Sequence, residues 1–261
     1  NYSLMRTNTI ALLPTAFRYR SFWAFWLGMQ ASEAGFQSLR LALGWLMFVL
    51  TDSPWLLGLL GFAFALPAIV FVLVGGVLAD KFDRRRIIIS TQVTLAGLVF
   101  ILALLTSLGS IEAWHLVAIS AFVGAAEGLG RPSRHAFYPG LIDRKAIVSA
   151  VTMLSPTFSV AAVGATTAAG VLFSSFGPAL SFYVSSTLFL IMAGFVYRLR
   201  PLPIRRETQS LLEGLRSIDG IHTFSFLVVM SFISVVFGAG YFILMPILVR
   251  DFLILGTETQ G

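Results

Sequence analysis

Apolar residues fill seven long stretches of this chain, at about 21–49, 55–79, 87–108, 113–131, 146–174, 178–198 and 222–249. The breaks between them are short, except at 199–221. A helix needs about 20 apolar residues to cross a bilayer. In lipid every backbone polar group must find its partner within the chain, which leaves helices or a closed barrel. These runs are too long and too continuously apolar for barrel strands, and a soluble fold would leave them without a solvent-facing side. The pattern therefore predicts an all-α, polytopic membrane protein with seven spans.

The polar breaks give the orientation. Sixteen of the eighteen Lys and Arg residues lie before the first span or in alternate connections: 80–86, 131–145 and 198–216. The intervening connections, "TDSPW", "SLGSIEAWH" and "FSSFGP", carry none. The positive-inside rule places the N-terminus in the cytoplasm. The longest break opens with Pro201 and Pro203, which suit a linker. Leu211, Leu212, Leu215 and Ile218 then recur at helical spacing beside Glu213, Arg216 and Asp219, as in a short amphipathic helix on the membrane surface. Residues 1–198 are thus expected to form a six-helix bundle, 199–221 a cytoplasmic linker, and 222–261 a seventh helix with the following loop.

Composition agrees with this. The chain of 261 residues is 57% hydrophobic and 11% charged, against about 25% charged in soluble domains. The balance is basic, at net +6, but the cations sit in loops beside apolar spans, so a lipid bilayer rather than nucleic acid is the expected partner. There is no cysteine, and hence no disulfide, thiolate nucleophile or cysteine-held metal. No GxxxxGK[ST], HExxH or GxSxG pattern occurs. Enzymatic activity, a metal and a cofactor are therefore not expected, and any transport should draw on an ion gradient. The chain begins at Asn1 and ends in "GTETQG", which is read as truncation at both ends.

Polar residues inside the spans are the candidates for function. Gln30, Glu33, Gln37 and Arg40 step by three, four and three and share one helix face. A charge at mid-bilayer costs about 2.5–3.5 kcal/mol on insertion scales, so this stripe should face protein or a watery cavity, with Glu33 as a proton or cation site. A stripe paired structurally with other helices is the alternative. Gln92 is a possible cavity donor, Glu127 and Arg131 stand one turn apart as an expected ion pair, and His115 beside Trp114 reads as interfacial. Gly124 and Gly128, and Ala162, Thr166 and Gly170, repeat at four-residue spacing and are expected to let helices pack closely.

One break is exceptional. In "GGVLADKFDRRRIII", six charged residues fall within positions 80–86. Gly76, Leu78, Ala79, Asp80, Lys81, Arg84, Arg85 and Ile87 fit the loop between helices two and three of the major facilitator superfamily, with Asp83 at the position of its usual second glycine. "LTDSPWLLGL", "ALP", "RPSRHAFYPGLI" and "SLLEGLRSI" resemble the multidrug and siderophore exporter branch that includes the enterobactin exporter. In helix five, Gly164 fits the glycine of an exporter motif whose proline is Ala165 here.

The resemblance implies twelve helices in two six-helix halves, of which this chain would hold the first half and one helix more. It implies a conformational gate at Gly76, Asp80, Lys81, Arg84 and Arg85. Asp80 would cap a helix of the second half, and Arg84 would join a set of ion pairs. The expected function is a secondary transporter of a bacterial inner membrane, a monomer, exporting small amphipathic compounds against protons. An importer of the same superfamily is the alternative within that class. A seven-helix receptor conflicts with the charge bias, and a non-transporting scaffold stays open.

Overall fold

A computed structural model of the protein describes residues 19–143, 147–199 and 230. Its elements are α1 (Arg20–Thr51), α2 (Pro54–Lys81), α3 (Arg84–Ser107), α4 (Ala113–Phe137), a short 3-10 turn (Tyr138–Leu141) and α5 (Ile147–Arg198). There is no strand among the described residues. Among the described residues five helices are long and apolar enough to cross a membrane.

Local chemistry sets the helix ends. Asp52 closes α1 in the left-handed region at φ 46°, and its N–H bonds to the Phe48 carbonyl. The neighbouring Ser53 caps α2, its hydroxyl accepting from the Leu56 N–H, and Pro54 takes the first helical position, where no N–H is needed. Asp83 caps α3 by accepting from the Arg85 N–H at 2.9 Å. At the start of α4, His115 Nδ1 accepts from the Glu112 N–H and Trp114 Nε1 donates to Glu112, so His115 serves the helix end.

The fifth and sixth spans are two helices that meet within Ile147–Arg198 at a kink where they were expected to part: Gly177 has φ 80° and ψ 177°, outside any helix. One expectation changes: α4 does not stop at Arg131 but continues through Pro132 to Phe137, which sets Arg134 beside Glu127, two turns earlier on the same helix. The seventh span lies outside the described residues apart from the helical Met230, as does the linker beyond Leu199. The count of six helices plus one is therefore described only in part.

In the bundle α2 packs on α4, α1 on α5, and α3 lies against both α4 and α5. Two apolar clusters result. One joins Leu39, Leu46, Leu95, Leu102, Leu116 and Phe189. The other gathers Phe22, Phe25, Ile88, Phe137, Met192 and Val196 near the opposite ends of the same helices. Most of α2 is left uncovered, with Trp55, Phe62, Ile69 and Leu73 exposed. Such a face is not stable in water and needs lipid or further protein against it.

Candidate functional site

Between the two apolar clusters lies a polar layer. Gln92 of α3 is fully buried and exchanges hydrogen bonds with Ser32 of α1, at 3.0 and 3.3 Å. It ties the two helices together and, contrary to the expectation for it, does not line the cleft described next. On α1, Gln37 Nε2 donates to Glu33 Oε1 at 2.9 Å. Arg40 stands at the exposed end of the stripe, 6.0 Å above the Phe36 ring. Both amide atoms of Gln30 are buried without a hydrogen-bond partner among the described residues.

A cleft of about 370 Å³ opens in this layer between α1 and α4. From α1 it is lined by Met29, Ser32, Glu33 and Phe36. From α4 come Glu127, Arg131, Arg134 and His135. The ion pair expected between Glu127 and Arg131 is not formed. Glu127 pairs instead with Arg134, two turns further along the same face, where the arginine side chain is only 8% exposed. Both spacings put the two residues on one helix face, but Arg131 is at the exposed edge while Arg134 points into the bundle. One nitrogen of Arg134, Nη1, is buried with no partner among the described residues. Arg134 and His135 are the site residues that sequence reasoning missed; the only signal was their place in the basic run after Arg131.

Among the described residues the charge knot makes the following contacts. Arg84 donates to the Ala79 carbonyl (3.1 Å) and to the Ala136 carbonyl (2.8 Å). Arg85 donates to the carbonyls of Val196 and Tyr197 and lies 5.4 Å from the Tyr197 ring. These carbonyls belong to the last turns of α2, α4 and α5, where a helix leaves carbonyls unpaired and carries the negative end of its dipole; that of Val196 also accepts from the Leu199 N–H at 3.1 Å. Two arginines thus tie three helix ends within this bundle. Among the described residues Arg84 meets carbonyls, and the ion-pair set implied for it would involve residues outside them. Among the described residues the knot's ion pair is Arg86 with Asp83, at 3.8 Å and largely exposed. Asp80 and Lys81 are exposed, and the partner implied for Asp80 lies outside the described residues.

The close helix crossing is that of α2 on α4. A Cβ on Gly128 would stand 2.5 Å from the Ala68 carbonyl oxygen, and one on Gly124 would overlap the Phe64 carbonyl. From the other side, a Cβ on Gly75 would come within 2.6 Å of the Leu129 carbonyl oxygen, while Gly76, the motif glycine, faces open space. Gly164 and Gly170 also have no neighbour within 4 Å of a Cβ among the described residues, so the close approach expected there is not seen.

Residues 11–261 match the family described as transmembrane secretion effector. Over 150 residues the chain is 27% identical to an uncharacterized MFS-type transporter, YfiS, of Bacillus subtilis (strain 168), a match that takes in 58% of this chain and 35% of that protein. No solved structure matches. With the family match running over nearly its whole length, the chain belongs to the transmembrane secretion effectors of the major facilitator superfamily.

Proposed function

We propose that the protein is a secondary transporter of a bacterial inner membrane that exports small amphipathic compounds in exchange for protons, as in the multidrug and siderophore exporter branch. The observation that carries this reading is the cleft between α1 and α4, where Glu33 is held by Gln37 within a polar layer between two apolar clusters. An ionisable group at that depth is costly unless used. Glu33 alternates between a proton and a cationic substrate group as the two helical halves rock about the site. Gly76, Asp80, Lys81, Arg84 and Arg85 form the gate toward the second half, with Asp80 exposed at the end of α2 and Arg84 and Arg85 also bracing the helix ends of their own half.

The orientation is tested at Arg86, whose side chain is 89% exposed. In a chain without native cysteine, Arg86→Cys in intact cells should resist a membrane-impermeant thiol reagent until the cells are permeabilised. Labelling before that step reverses the topology.

Export is tested in inverted vesicles with an imposed pH gradient, using ethidium and a panel of other amphipathic cations and catecholates. The wild type should take up at least one of them and release protons as it does so. Glu33→Gln should reach wild-type levels in the membrane yet lose proton release and about tenfold or more of gradient-driven uptake. Wild-type coupling in that variant removes Glu33 from the mechanism, and no gradient-driven uptake across the whole panel overturns export.

A further inference from the structure

The two walls of the cleft carry opposite charge. On α1 the only ionisable lining residue is Glu33, which accepts from a neutral amide and forms no ion pair among the described residues. On α4, Glu127 is neutralised by Arg134. That leaves Arg131 at the edge, His135 beside it, and the unpartnered Nη1 donor of Arg134, on a side chain more than nine-tenths buried. No titratable residue of α2, α3 or α5 lines the cleft among the described residues. Met29 and Phe36 supply an apolar floor on the α1 side.

We propose that this cleft takes a zwitterionic amphipath, with an ammonium group against Glu33, a carboxylate against Arg131 and Arg134, and an apolar body on Met29 and Phe36. The inference rests on the export reading and names a substrate class for the same cleft. A charge in apolar surroundings is costly unless paired. A plain cation satisfies Glu33 but is repelled by Arg131, and a plain anion meets the reverse. A ligand with both poles pairs each wall. At about 370 Å³ the cleft is at the small end of ligand sites, in keeping with a compound of amino-acid or dipeptide size. Protonation of Glu33 removes the negative pole and with it the hold on the ammonium, which is the competition that exchange requires.

The test is equilibrium binding to the purified protein in nanodiscs, with L-phenylalanine and the dipeptide Leu-Phe as probes, each beside its methyl ester and its N-acetyl form. At least one zwitterion should bind about tenfold or more tightly than both of its capped forms, since each cap removes one charge-assisted contact. Arg131→Gln, at an exposed position that tolerates change, should erase the preference for the zwitterion over the ester, weakening the zwitterion while the ester binds at least as tightly as before. Glu33→Gln should bring it down to that of the N-acetyl form. Equal binding of the three forms, preference for a capped form, or no binding of either zwitterion overturns the proposal. Ethidium export by the same preparation would then leave the transport reading standing.

Discussion

Replacing Gly124 with leucine is expected to keep α2 and α4 from closing on each other, so that little monodisperse protein survives extraction in mild detergent. The atoms that a side chain would meet are backbone. At Gly124 they are the carbonyl and Cα of Phe64, the latter at 3.2 Å; at Gly128 they are the Ala68 carbonyl oxygen and the Val72 nitrogen, at 2.5 and 3.0 Å. No rotamer change moves such atoms, so one helix must shift as a body. In lipid that shift is harmful, because the apolar tails remove the hydrophobic drive between helices and leave close packing to hold them. Gly124→Ala alone should cost about 1–3 kcal/mol, the usual range for overpacking, and leucine more. Gly97 has nothing within 4 Å of a Cβ, so Gly97→Ala should be neutral or gain up to about 1 kcal/mol of helix propensity. Titration with sodium dodecyl sulfate, followed by circular dichroism, measures all three. Equal behaviour of the two alanine variants would refute the crossing.

What the sequence made legible depended on local causes. The spans of α1 to α4 follow from continuous apolar runs, and the α1–α2 turn follows from Asp52, Ser53 and Pro54, each acting within one turn of itself. Gly177 breaks α5 at the expected place, since the "FSSFGP" connection is itself a local signal. What could not be read needed a partner from another helix. Nothing in the sequence marked Gly75, which makes the crossing, because which of two adjacent glycines faces α4 is decided by the rotation of α2 against it. Gln92 was read as a cavity donor because nothing in its own helix announces Ser32, sixty residues earlier. Arg84 and Arg85 were read as gate charges by resemblance. Their carbonyl partners carry no side-chain signature at all, so no pattern in the sequence could have named Ala136 or Tyr197.

The Glu127–Arg134 pair is where stability and ligand recognition meet, and its variants should separate the two. The side chains are 16% and 8% exposed, so each charge relies on the other more than on water. Glu127→Gln leaves a buried guanidinium that cannot shed its charge, and breaking one partner of such a pair costs about 3–5 kcal/mol. Arg134→Gln should cost less, because the remaining carboxyl can take up a proton and become neutral. The double variant Glu127→Leu with Arg134→Met fills the same space with apolar atoms. It should recover most of the loss, as replacement of a whole buried pair is often neutral or stabilising. In the detergent titration the order of stability is then wild type and double variant together, Arg134→Gln below them, and Glu127→Gln lowest. The recovered double variant should nonetheless fail to bind the zwitterionic probes, because the Arg134 donor is gone while the fold remains. A double variant as unstable as Glu127→Gln would mean that the pair is not what the bundle loses. A double variant that folds and still binds the zwitterions would take Arg134 out of the ligand site and leave Arg131 as its cation.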